Sequence, residues 1–206
     1  MKRFLLFSIV AWYITASCFC QIDWKNFMSQ QDMIWTRLPQ TWYEAPFMGN
    51  GSMGTYICKE PGKNAIRVDV GNSMVHDHRT NDRGVYGRCR LLIGYFLLHP
   101  AGEIKSGDMR LDLWNAETTG CIRTTLGEIK LKAYVTSESP YIVVEAEATE
   151  GEKDFTWKFY PENTDSPRQL NAIQRNNKKH LKKGYVSNPA SQLSVRSGVN
   201  YCWQPL

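Results

Sequence analysis

The sequence predicts an all-β chain folded as an antiparallel β-sandwich. Three observations carry this prediction. Apolar and polar residues alternate with a period of two through most of residues 53–160, which marks strands with one buried face. Turn signals divide that region into short runs, as in a meander of hairpins. No convincing window has the 3.6-residue period of an amphipathic helix, and residues 24–33 offer one short helix at most.

The elements follow in chain order. From Ala65 to Val70, Ile66, Val68 and Val70 share one side, with Arg67 and Asp69 on the other. From Glu128 to Val135, Ile129, Leu131, Ala133 and Val135 alternate with Lys130, Lys132 and Tyr134. Tyr141 to Ala148 sets Val143 against Val144 and turns Glu145 and Glu147 to solvent. Asp154 to Tyr160 places Phe155, Trp157 and Phe159 on one face. Between them lie Pro61-Gly62-Lys63-Asn64, Pro100-Ala101-Gly102-Glu103, Leu126-Gly127, Ser139-Pro140 and Glu150-Gly151-Glu152, all with turn-forming residues. Gly198 to Leu206 reads as a last strand, with Val199, Tyr201 and Trp203 on one face. A strand there expects an antiparallel partner. No turn follows it, so the sandwich is expected to be truncated at its C-terminal edge.

Residues 1–20 read as a secretory signal peptide. Lys2 and Arg3 precede an apolar run from Phe4 to Ala16, too short for a full membrane span. Small side chains at Cys18 and Cys20 suit cleavage before Gln21. Thr15-Ala16-Ser17 before Cys18 offers a second route, lipidation of Cys18, which alone would tie the protein to a membrane. The expected product, residues 21–206, is one N-terminal β-sandwich domain, secreted or periplasmic, or a surface lipoprotein.

Composition narrows the function classes. With 42% hydrophobic and 12% aromatic residues, the chain is too apolar to be disordered. Loss of Lys2 and Arg3 lowers the formal net charge from +5 to +3, too mild to indicate nucleic acid. Residues 161–183 are polar, with five basic groups from Lys178 to Lys183 counting His180. Aromatic side chains for stacking bases are missing there, so a solvated loop is expected and no nucleic-acid partner. Cys58, Cys89, Cys121 and Cys202 follow the leader. They lack CxxC spacing and read as buried, strand-borne thiols rather than disulfides.

Three constellations could carry chemistry. Met48-Gly49-Asn50-Gly51-Ser52-Met53-Gly54 is glycine-rich, but has no Gly-Lys-Ser/Thr and no following helix to cradle a phosphate. On spacing alone it is a tight turn. His76-Asp77-His78-Arg79 mixes imidazole and carboxylate, yet forms a single local cluster, so no metal is expected. Its side chains can bond sugar hydroxyls. Of the six tryptophans after the leader, most are expected in the core. Trp42, in a proline-bounded loop, and Trp114 are the candidates for stacking on sugar rings. No spacing selects the pair of carboxylates that glycoside hydrolysis requires.

Residues Ile34-Trp35, Pro46-Phe47-Met48-Gly49-Asn50-Gly51-Ser52-Met53-Gly54-Thr55-Tyr56, Ile66-Arg67-Val68-Asp69-Val70 and Gly107 to Glu117 carry a resemblance. Together they resemble the opening of glycoside hydrolase family 95 enzymes, and the related N-terminal domain of unknown function in secreted Bacteroidetes proteins. The resemblance spans roughly residues 31–206. Gly71-Asn72-Ser73-Met74-Val75-His76-Asp77 stands where Asn-Glu-Asp-x-Leu-Trp is expected, which favours the second of these. It implies a large, supersandwich-like β-domain that supports a following (α/α)6 barrel bearing the catalytic carboxylates. Substrates would be glycans, typically α-L-fucosides or α-L-galactosides. The barrel is a partner expected but absent from this sequence, so no catalytic residue carries over and no cofactor is expected. Asn50, His76, Asp77, Trp42 and Trp114 are the candidate sugar contacts. The alternative is a stand-alone carbohydrate-binding module at the cell surface.

Overall fold

The computed structural model describes residues 22–76, 90–162, 165 and 189–203. The chain divides into two units, the first ending at Gln31 and the second beginning at Asp32. In the first, helix α1 (Trp24–Ser29) is capped by Asp23, whose carboxylate accepts from the Asn26 N–H at 3.0 Å. Trp24 and Phe27 meet edge to face at 5.9 Å, and no helix residue is buried. Among the described residues, no helix is long and apolar enough to cross a membrane.

The second unit is an all-β sandwich of two five-stranded antiparallel sheets. Its strands are β1 (Met33–Trp35), β2 (Phe47–Gly49), β3 (Met53–Lys59), β4 (Ile66–His76), β5 (Arg90–His99), β6 (Ile104–Asp112), β7 (Glu117–Thr124), β8 (Glu128–Val135), β9 (Ile142–Ala148), β10 (Thr156–Pro161), β11 (Gln192–Arg196) and β12 (Val199–Trp203). The first sheet runs β1-β6-β7-β8-β9 and the second β10-β5-β4-β3-β2. The hairpins β2–β3, β3–β4, β6–β7, β7–β8 and β8–β9 build most of both, their short turns returning the chain to the neighbouring antiparallel position.

The expected alternation decides which residues meet between the sheets. Ile57, Ile66, Val68 and Leu98 of the second sheet pack with Met109, Ile122, Ile129 and Ala133 of the first, each at most 2% exposed. Burying an aliphatic side chain of this size stabilises the fold by roughly 1.5–3 kcal/mol. Strand β2 lies across β7 and β8, and β3 lies across β8 and β9. Past β9, Val68, Val70, Phe96 and Trp157 face Ile142 and Val144 across an apolar cleft of about 270 Å3. Phe96 there meets Trp157 edge-on at 6.4 Å and Phe159 at 4.8 Å.

The 150–152 turn is tied down from within. Glu152 is fully buried and accepts from the N–H groups of Ala101 and Gly102 at 2.8 and 2.9 Å, and from the Thr124 hydroxyl. It thereby joins the β5–β6 turn to the end of β7, since a buried carboxylate is retained only where donors surround it.

Three expectations need correction. Strand β12 pairs with β11, which precedes it, so its antiparallel partner need not be sought beyond the last residues. Most tryptophans are not in the core: Trp24, Trp42, Trp114, Trp157 and Trp203 are all exposed and Trp35 is half-buried, because aliphatic side chains fill the space between the sheets. Of the cysteines, Cys58 is buried, Cys121 partly so and Cys202 exposed, each a free thiol on a strand. Cys89, the leader and the basic stretch from Lys178 lie outside the described residues.

Candidate functional site: a glycine-floored groove

Strands β2, β3 and β4 place Gly49, Gly54 and Gly71 side by side, Gly49 opposite Gly54 and Gly54 opposite Gly71. Directly opposite residues in antiparallel strands share a face. Met48, Ile57 and Val68 belong to the core, and period two therefore puts this glycine row on the outer face. The row floors a groove of about 430 Å3, bordered by Phe47, Ser52, Asn72, Ser73 and Arg90.

The glycines differ in what they require. At Gly49 a Cβ would stand 3.0 Å from the Met53 carbonyl oxygen, so a side chain there would press on the neighbouring backbone. Gly54 and Gly71 have no such constraint. Neither has a positive φ, and a Cβ would meet its nearest neighbours at 3.7 and 3.5 Å, ordinary contact distances. The fold therefore tolerates alanine at both positions. What a side chain would remove is open volume in the groove.

Around this floor stand an aromatic face and a cation. Phe47 is 71% exposed, a costly position for an apolar ring with no ligand to cover it. Arg90 opens β5, exposed, directly across the ladder from His76 at the end of β4. Asn72 accepts from the Met74 N–H at 2.8 Å, and the Ser73 N–H donates to the Ser52 carbonyl at 2.7 Å, which holds the groove's polar wall. Among the described residues that line it there is no carboxylate.

The structure separates the five candidates drawn from the sequence. Asn50 lies beside the groove, but its side chain is committed to the protein. Its oxygen accepts from the Ser52 N–H, the Ser52 hydroxyl and the Met53 N–H at 2.8–3.0 Å. Its NH2 group donates to the Thr136 and Ser139 carbonyls at 2.8 and 3.3 Å. His76 is half-buried beside Arg90. Asp77 lies outside the described residues. Trp42, 68% exposed and edge-on to Tyr43 at 5.7 Å, sits on the 3-10 turn Trp42–Glu44. That turn is held by Trp35, whose indole N–H donates to the Glu44 carbonyl at 2.6 Å. Trp114 projects from the β6–β7 turn, where the Asp112 carboxylate accepts from the N–H groups of Trp114 and Asn115, each at 2.9 Å. The Asn115 N–H holds the Asp112 carboxyl below its usual range. Neither tryptophan lines the groove.

Phe47 and Arg90 escaped the sequence reading. Phe47 immediately precedes the glycine motif Met48 to Gly54, but nothing local marks its ring as exposed. No sequence signal marks Arg90.

A second polar cluster lies on the same outer face. Arg67 pairs with Asp69 at 2.7 Å, Glu162 at 3.1 Å and Glu60 at 3.5 Å, and lies 3.7 Å over the Tyr95 ring. Burial opposes its charge, yet the hydrogen bonds and field of Asp69 outweigh burial and hold the guanidinium more firmly protonated than usual. Burial, and then the hydrogen bond and charge of Asp69, raise the Tyr56 phenol. Burial with the Asp69 field pushes the Cys58 thiol up to about 12. One arginine shared by three carboxylates is a closed network that spends its charge internally. Among the described residues no group of three or more His, Cys, Asp or Glu stands placed to hold a metal ion.

No family model matches the chain and no curated protein matches it.

Proposed function

We propose that this sandwich binds glycan without cleaving it, as the non-catalytic portion of a secreted glycoside hydrolase-like protein. The observation that carries this reading is the pair Gly54 and Gly71. Neither backbone conformation nor internal packing demands glycine there, whereas an occupant of the groove would. A sugar ring lying on this floor presents its C–H face to Phe47 and its hydroxyls to Ser52, Asn72 and Ser73. The described residues of the lining include no carboxylate pair, and retention rather than hydrolysis is the role proposed.

A specific observation favours a second role alongside the first, support of a catalytic barrel. The apolar cleft past β9, with Trp157 at its mouth, suits cover by another domain.

Calorimetric titration of residues 21–206 with a glycan panel tests the binding reading. Saturable binding that weakens about tenfold or more in Phe47→Ala and in the double variant Gly54→Ala/Gly71→Ala supports it. No saturable binding by the parent chain contradicts it, as does turnover of an aryl fucoside.

A further inference from the structure

We propose that the groove selects glycans that carry an anionic group, a carboxylate or a sulfate, and that Arg90 holds that group. This rests on reading the groove as a glycan site and names the class of sugar it takes.

The first argument is the contrast among arginines. Arg37 pairs with Glu44, Arg67 with Asp69, Arg110 with Asp32 and Arg123 with Asp108. Arg90 and Arg196 have no carboxylate partner among the described residues, and of these two only Arg90 lines a groove. A guanidinium presents a planar fork of donors that matches carboxylate and sulfate oxygens. Where four of the described arginines satisfy their forks internally, this one borders a groove with its fork open to a ligand.

The second argument is the groove's charge. Its lining among the described residues consists of glycines, Phe47, Ser52, Met53, Asn72, Ser73 and Arg90, with no acidic side chain. Arg90 is the charged group of that described lining, and a neutral glycan would leave its charge unanswered.

The third argument is reach. Phe47 is on β2 and Arg90 on β5, three strand spacings apart across the second sheet, roughly 14 Å, and they lie on opposite sides of the glycine row along the strands. A ligand that touches both is an oligosaccharide with its anionic group set away from the ring stacked on Phe47. A single cation is too little for a nucleic-acid backbone, which binds through many phosphate contacts.

The test is calorimetric titration of the full chain with four probes: oligogalacturonate, its methyl ester, a sulfated galactan oligosaccharide, and the same oligosaccharide desulfated. At least one charged probe is expected to bind about tenfold tighter than its neutral counterpart, and which pair shows the difference identifies carboxylate or sulfate. Arg90→Gln is expected to erase that preference while leaving the neutral affinity as it was. Arg90→Lys, which keeps the charge but not the fork, is expected to retain part of it. Equal binding of charged and neutral forms, or a preference that survives Arg90→Gln, overturns the role of Arg90 and leaves the glycan reading standing. Failure of all four probes and of a neutral glycan panel overturns both.

Discussion

The side-chain amide of Asn50, just past the end of β2, donates to the backbone carbonyl of Thr136, 86 residues later at the end of β8, at 2.8 Å. Strand β2 belongs to the second sheet and β8 to the first. One asparagine thus shapes the glycine turn with its oxygen and fastens that turn across the sandwich with its nitrogen. The groove's floor is held in register by a group that need not touch a ligand.

Replacing this asparagine separates its two halves. Asn50→Asp keeps an oxygen for the Ser52 and Met53 N–H groups but sets a second oxygen against the carbonyls of Thr136 and Ser139. We expect Asn50→Asp to cost about 1–3 kcal/mol, read as a lower urea midpoint at unchanged slope. Glycan affinity is expected to fall with it. An unchanged midpoint would show that the link between sheets carries no stability.

The glycines give a contrast within one sheet. Gly71→Ala is expected to cost under about 1 kcal/mol, since its Cβ finds ordinary contacts. Gly94→Ala would place its Cβ 2.5 Å from both the Phe159 ring and the Tyr160 carbonyl oxygen, at a φ of +158. That substitution is expected to cost about 3 kcal/mol or more. Thermal melts of the two variants side by side settle the order, and equal losses would refute the distinction.

Glu152 anchors the far end of the sandwich through donors from the β5–β6 turn and from β7. Glu152→Ala leaves the buried Gly102 N–H, and the partly buried Ala101 N–H, without their acceptor. A loss of about 2–4 kcal/mol is expected, measured by chemical denaturation. A loss below about 0.5 kcal/mol would mean that water replaces the carboxylate freely.

The thiols predict a pH dependence. The Cys58 thiol is raised from 9.0 to about 12, so folding favours its neutral form. Below pH 9 it is neutral in both the folded and unfolded states. As pH rises from 9 towards 12, the unfolded chain ionises first, and stability falls across that window. In the native protein at pH 8, exposed Cys202 is expected to react with a thiol reagent well before Cys58 does. Rapid native labelling of Cys58, mapped by mass spectrometry, would contradict its burial.

Much of the fold was legible because alternation and turns are local. The faces of β4, β8 and β10 follow from period two, and all five turn signals connect consecutive strands. Coverage is not local. Period two places Arg67 and Asp69 opposite the core but does not reveal that their face is covered, so the shared ion cluster was not foreseen. Trp42 was read as exposed and is, yet it stands outside the groove, because a side chain's exposure says nothing of its neighbours in space. Asn50, a candidate sugar contact in the sequence, is not among the residues lining the groove. Its bonding is spent on Thr136 and Ser139, a partnership that no spacing in the sequence announces. Phe47 and Arg90 border one groove from strands that are not neighbours, a placement that only the folded sheet defines.

The most direct measurement is a titration of 15N-labelled protein with oligosaccharide, followed by amide chemical shifts. The account predicts saturable shifts centred on Gly54, Gly71 and the residues flanking Arg90, with Trp42 and Trp114 unaffected. Shifts confined to those two tryptophans, or no saturable shift with any glycan, would contradict it.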